Sequence, residues 1–261
     1  MKAKMTLTAL CLLPFAATSA FAEEANKDSE LTMSAELGML LKTGNSKSGD
    51  IKAGFNVKHK KDQWTNLLEI NALGKKSEQK NDETGEKDYN TTDNKWDLKA
   101  QTNYTLQEQG KNYLYANLSY SQDKFLNFKS QSSFSTGWGR NWYKTETSSL
   151  FADIGPGIKY DEIRATETEP ETSETNFIVQ AQALYTAQIN EHVEFKQYLV
   201  ARQAVESGKN SFYQSETSIT TKLIESMQLK FSFRVDYNSE VDETKFENTD
   251  TITSFTLVYN F

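Results

Sequence analysis

Cysteine is almost missing from the sequence: Cys11 is the only one in 261 residues. It lies inside an apolar run and follows Leu10 rather than a small residue, so lipidation there is not expected. One thiol can form no internal disulfide and no zinc–thiolate cluster. Proline is scarce, at Pro14, Pro156 and Pro170 only, and histidine is limited to His59 and His192. Basic clusters are missing and the formal net charge is −7, so nucleic acid is not an expected partner. Hydrophobic residues make up only 37% and mean hydropathy is −0.69, a balance that leans toward disorder on composition alone. The 12% share of Phe, Trp and Tyr argues the other way. A membrane β-barrel reconciles the two, because half of each strand faces a polar lumen while the other half is strongly apolar.

What is present begins with an export signal. Lys2 and Lys4 precede an apolar run from Met5 to Ala17, and Ala20-Phe21-Ala22 sets small residues at a signal-peptidase spacing. Residues 1–22 are therefore expected to be a signal peptide cleaved after Ala22. The run is shorter than the roughly 18–20 residues of a spanning helix, which disfavours an anchor. Loss of both lysines takes the net charge from −7 to −9. Residues 23–30 read as a short polar periplasmic leader and 31–261 as the barrel.

Period-two alternation recurs along that segment. Trp96, Leu98, Ala100, Thr102 and Tyr104 alternate with Asp97, Lys99, Gln101 and Asn103; Leu229, Phe231, Phe233, Val235 and Tyr237 alternate with Lys230, Ser232, Arg234 and Asp236. This is the strand signal. It predicts an all-β fold, an antiparallel transmembrane up-and-down barrel of about 12 strands. They are expected near 33–43, 49–60, 63–75, 94–106, 112–122, 130–143, 149–161, 176–189, 193–204, 211–224, 228–237 and 249–261. Several are longer than the 5–6 residues usual in a soluble sandwich and meet the 9–11 residues a tilted barrel strand needs.

The connections alternate as well. Those near Lys61-Asp62, Gln107–Lys111, Lys144–Ser148, Asn190–His192 and Glu225–Met227 are short, while the intervening ones, such as 76–93 and 162–175, are longer. Short periplasmic turns and longer outer loops give this pattern. It predicts both termini in the periplasm and residence in the outer membrane of a Gram-negative cell.

Phe255, Leu257, Tyr259 and Phe261 share one face of the last strand. This resembles the C-terminal signal of outer-membrane barrels, and the resemblance implies the barrel-assembly machinery as a partner. Outer-membrane lipid and lipopolysaccharide are the other expected partners, the latter through divalent cations that bridge its phosphates to the acidic stretches at Glu78–Asp88, Glu167–Glu174 and Glu240–Glu247. Three outward positions look misplaced: His59, Asn66 and Arg140. All fall near periplasmic strand ends, where a charge on the lipid face costs about 0–1 kcal/mol rather than 2–4. Trp64, Tyr104, Trp138 and Trp142 are expected in one aromatic girdle, and Trp96, Tyr120, Tyr160, Phe177 and Tyr237 in the other.

The lumenal face is mixed in charge. Glu36, Glu69, Asp97, Asp153, Glu194, Glu216 and Asp236 point inward with Lys52, Lys58, Lys99, Lys159, Lys196, Arg202, Lys222, Lys230 and Arg234. Eight strands enclose a packed interior and 16–18 an aqueous channel, so twelve are expected to hold a plugged or narrow lumen. Neither histidine is placed to activate an outer-face serine. The sequence nominates no catalytic residue, no cofactor or cofactor-binding residue and no metal ligand, and a non-enzymatic protein is expected.

Leu37-Gly38-Met39-Leu40-Leu41-Lys42-Thr43-Gly44-Asn45-Ser46 opens the barrel, and Gly155-Pro156-Gly157-Ile158-Lys159-Tyr160 follows at mid-chain. With the export signal and the length, these resemble the salt-induced outer-membrane protein family, a bacterial domain of unknown function. The resemblance spans essentially all of 31–261 and implies a barrel with an envelope or salt-stress role. It brings no catalytic residue with it. A narrow diffusion channel is the alternative function, and an outer-leaflet lipid-modifying enzyme a more distant one.

Overall fold

The computed structural model describes residues 29–43, 48–80, 87–107, 110–123, 127–165, 170–241 and 247–261. The expected signal peptide, most of the polar leader and the Gly44-Asn45 turn lie outside the described residues. Twelve strands follow in order: β1 (Ser29–Thr43), β2 (Ser48–Lys61), β3 (Trp64–Lys80), β4 (Lys87–Thr105), β5 (Asn112–Gln122) and β6 (Phe128–Lys144). Then come β7 (Ser148–Ile163), β8 (Thr172–Gln188), β9 (Val193–Ala204), β10 (Phe212–Lys222), β11 (Met227–Asn238) and β12 (Thr249–Asn260). Each pairs antiparallel with its chain neighbours, and β1 closes on β12, so the sheet is a closed barrel with no free edge. Closure matters because an unpaired strand edge in hydrocarbon leaves each backbone group unsatisfied at a cost of several kcal/mol.

All twelve expected strands are present, most with ends within two residues of expectation and three places where the difference is four or more. Ser29 and Glu30, read as leader, belong to β1 and pair with Lys61 and Lys60. β8 starts at Thr172 rather than 176. β3 and β4 run on together beyond Lys75, past a register shift, to the pair Lys80–Lys87. There the sequence is polar except for Tyr89, so alternation vanishes while the backbone ladder continues.

Tight turns collect at one end of the barrel, the turn end. Asp62, with φ of 52°, makes the corner between β2 and β3, a left-handed conformation that aspartate tolerates better than most residues. The longer connections collect at the other end, the loop end. Outward side chains are apolar in the middle and aromatic toward both ends. Trp64 and Tyr104 stack at 4.8 Å near the turn end, Trp96 and Tyr120 at 4.6 Å near the loop end. The three misplaced outward residues are near the turn end as expected. Asn66 accepts a hydrogen bond from Thr102 at 2.7 Å, and the Arg140 guanidinium lies 5.6 Å from the Trp142 ring.

Gly38 and Gly139 are among the glycines that mark close approaches. At the closing seam, a Cβ on Gly38 would stand 2.4 Å from the Phe255 carbonyl oxygen. On β6, a Cβ on Gly139 would stand 2.2 Å from the Tyr113 ring, which lies across that glycine on the lumenal side. Pro156 sits within β7 although a closed sheet offers no edge for it. The β6–β7 ladder pairs Ser135 with Gly157 and Trp138 with Ile154 and skips the residues between, so it is interrupted where Pro156 has no N–H to donate.

Candidate functional site

Alternation on twelve strands points polar residues into one shared interior, and that lumen is the candidate site. It has three storeys. The lowest, at the turn end, is a cavity of about 570 Å³ whose mouth is lined by Thr32, Ser34, Lys58, Gln228 and Asn260. Glu36 of β1 organises its wall. It accepts from Lys52 at 3.2 Å, from Asn56 at 3.2 Å and from Lys230 at 3.4 Å. Lys230 also reaches Glu216, at 3.9 Å. Acids and bases therefore alternate around the wall.

The middle storey crosses the lumen. Gln182 of β8 donates to Gln101 of β4 at 2.6 Å, and Lys99 of β4 reaches Gln214 of β10 at 3.4 Å. Tyr198 donates to Gln182 at 3.0 Å while its ring underlies Lys99 at 5.1 Å. Asp153 anchors this crossbar. Its carboxylate accepts from Gln182 at 2.9 Å, Tyr113 at 3.2 Å and Gln101 at 3.3 Å, with no cation bridged to it among the described residues. Buried carboxylates are costly unless hydrogen bonds or opposite charge compensate; here neutral donors satisfy Oδ2, while the buried Oδ1 has no hydrogen-bond partner.

The top storey is a dense polar plug at the loop end. Lys159 meets Asp161 at 2.5 Å and the Asn210 carbonyl at 3.2 Å. Gln131 bridges Asp161 and Asn238 at 3.2 and 3.3 Å, reaching from β6 to β11. Lys95 pairs with Asp123 at 3.4 Å, and Arg234 with Asp236 and Asp97 at 2.7 and 3.7 Å. Phe128 and Phe212 cover the Lys159 and Arg202 cations at 5.6 and 5.3 Å. Side-chain exposure traces where water reaches: Lys196 keeps 45%, Lys230 19%, Lys95 6% and Lys159 2%. Access is from the turn end and closes upward.

The inward positions expected from sequence line this lumen, Lys222 excepted. It lies exposed at the turn end, paired in the ladder with Gln228 and away from the cavity wall. Sequence reasoning missed Lys95, Asp123 and Asp161 of the plug. Lys95 shares the parity of Asp97 and Lys99, and Asp161 that of Asp153 and Lys159, so a longer reading of each strand finds both. Asp123 follows β5 in a connection and carries no periodic signal. It also missed the neutral crossbar of Gln101, Gln182, Tyr113 and Tyr198. Both histidines stand at the turn end, His59 paired with Leu31 and Asn66, and His192 in the β8–β9 turn. The acidic residues at 82–86, 166–169 and 242–246 lie outside the described residues. No cluster of metal-binding side chains occurs among the described residues.

Known proteins share this architecture. The chain is 24% identical over 230 residues to the uncharacterized protein YdiY of Escherichia coli (strain K12), covering 85% of this chain and 80% of that one. Among solved structures, the NanC porin superposes with a TM-score of 0.51 at 9% identity, over 86% of this chain and 98% of the porin. An outer membrane channel from Pseudomonas putida F1 gives 0.47 at 9% identity, over 88% and 95%. At such identities the likeness is one of fold, an outer-membrane-type barrel. Residues 35–261 match the family described as Protein of unknown function, DUF481, and the chain belongs to it.

Proposed function

We propose that this protein is a non-enzymatic barrel of the Gram-negative outer membrane whose lumen is held shut at the outer end. One observation carries the reading: exposure of lumenal lysines falls from 45% at Lys196 to 2% at Lys159 along the barrel. The turn end, with its tight connections, faces the periplasm and the loop end faces outward, the orientation usual for such barrels. On this reading residues 1–22 are the cleaved export signal, and the closing strand with Phe255, Leu257 and Tyr259 outward is the handle for the barrel-assembly machinery. Lipopolysaccharide is the outer-leaflet neighbour. An envelope role under salt stress fits the family resemblance, since fixed ion pairs in a shut lumen admit no ion leak.

The test is conductance in planar bilayers. Purified protein is expected to insert without discrete current steps, and Lys159→Ala with Asp161→Ala is expected to produce them. Steady steps from the unmodified protein overturn the shut lumen and favour the second reading, a narrow diffusion channel. That reading draws on the cavity of about 570 Å³ below the crossbar, whose alternating charge suits small polar solutes. Hydrolysis of phospholipid or lipopolysaccharide by the purified barrel would overturn the non-enzymatic part.

A further inference from the structure

Among the described residues the outward surface carries a pronounced hollow. Ladder registers bring four alanines together on it: Ala152 opposite Ala183, and Ala181 opposite Ala201. Outward alanines occur elsewhere too, as at Ala53 opposite Ala72, but here four of them adjoin and large aromatic side chains wall them in. Trp138 and Trp142 wall the hollow on β6, and Tyr213, Val235 and Tyr237 wall it on β10 and β11. The result is a groove of about 590 Å³, within the roughly 300–1,000 Å³ typical of small-molecule sites. A register shift builds one wall. The ladder pairs Asn141 with Phe151 and Tyr143 with Leu150, leaving Trp142 as the extra residue of a bulge, a device that re-aims a side chain.

A cation stands at the rim. Arg140 points outward directly opposite Ala152 of the groove floor, with its guanidinium beside the Trp142 ring. Among the described residues no carboxylate meets it, and its buried Nε has no hydrogen-bond partner. Near the turn end a guanidinium stands at headgroup depth, and its planar fork matches phosphate in a bidentate fashion. An apolar groove that ends on an unpaired arginine has the charge and shape of one ligand class.

We propose that this groove holds one acyl chain of an anionic glycerophospholipid from the periplasmic leaflet, with the lipid phosphate on Arg140. The inference rests on the reading that the barrel spans the outer membrane with its turn end inward. A second copy of the chain is the poorer occupant. Its convex wall would touch the projecting indoles and phenols and leave the alanine floor uncovered.

Brominated lipids test this, because bromine on an acyl chain quenches a neighbouring tryptophan. A chain carrying Trp64→Phe and Trp96→Phe keeps only Trp138 and Trp142 as reporters. It is inserted in phosphatidylcholine vesicles containing a small fraction of chain-brominated phosphatidylglycerol or chain-brominated phosphatidylcholine. The anionic lipid is expected to reach half-quenching at about tenfold lower mole fraction, the scale of one charge-assisted hydrogen-bonded contact. Arg140→Gln should erase the preference while both lipids still quench, and Ala183→Phe should weaken quenching by both. Equal quenching in the parent, or a preference that survives Arg140→Gln, overturns the site and leaves the spanning barrel standing. Crosslinked dimers with no quenching by either lipid overturn it in favour of a second copy. Failure of the parent to insert, seen as no heat-modifiable band, overturns the spanning reading and the site with it.

Discussion

Gln101 and Gln182 stand on strands four apart around the barrel, 81 residues apart in sequence, and their side-chain amides meet at 2.6 Å. This contact sets where the lumen stops being a cavity and becomes a solid interior. Both amides also donate to Asp153, so the crossbar holds a carboxylate in place without a cation.

Gln182→Leu removes the nearer donor from Asp153 and leaves its carboxylate underbonded. The barrel is expected to lose roughly 1–3 kcal/mol of stability, the desolvation cost of a buried acceptor without its partner. Adding Asp153→Leu should restore most of it. Urea unfolding in detergent micelles, followed by tryptophan fluorescence, measures both. A single variant as stable as the parent would remove the crossbar from the account.

Lys159 and Asp161 make a two-residue cation–anion pair on β7 at 2.5 Å, both nearly fully buried. Lys159→Met alone strands a buried carboxylate and is expected to cost about 3–5 kcal/mol, whereas Lys159→Met with Asp161→Leu should cost much less. A double-mutant cycle on the same unfolding assay reads the difference. Additive single effects would mean that the two groups do not depend on each other.

Gly139 leaves room for Tyr113, and a Cβ there would stand 2.2 Å from the ring. Gly139→Val is expected to abolish the folded, heat-modifiable band on gels. Gly139→Val combined with Tyr113→Ala should recover part of it, since the collision is with a side chain rather than with backbone. No recovery would place the conflict elsewhere.

Gly38 is a different case because its near neighbour is backbone: the Phe255 carbonyl oxygen lies 2.4 Å from where a Cβ would stand. Gly38→Val should open the β1–β12 seam, and no side-chain truncation on β12 should rescue it. Hydrogen exchange is the readout. Protection of Met39 and Leu257, which flank the seam, is expected to fall while that of β6–β8 persists.

The architecture was legible because lipid and lumen impose opposite demands on alternate residues. Leu229 to Tyr237 and Trp96 to Tyr104 announce their strands by that contrast alone. Where the contrast lapses, the reading lapses: β3 and β4 continue past Lys75 through residues that are polar but for Tyr89, and Ser29 and Glu30 gave no sign of pairing. The site was half legible. Parity places Glu36, Lys52, Lys230 and Arg234 inward, but which of them cross the lumen depends on barrel diameter and strand stagger. Gln101, Gln182 and Tyr198 look like neutral filler until the two walls are brought within reach. Lys222 has the correct parity and still misses the cavity, because it lies at the strand end beyond the mouth.

Water that enters from the turn end carries that compartment's electrical potential up to the crossbar. A potential difference across the barrel would then fall mainly over the dry storey above, not evenly along its length. Charges fixed there, Lys159, Asp161, Arg202 and Arg234 among them, would feel a steep field, worth about 2.3 kcal/mol per unit charge for each 100 mV traversed. If the barrel spans the outer membrane as proposed, the plug would be the thin insulating layer above a water-accessible cavity, and the place where voltage would act on this protein first.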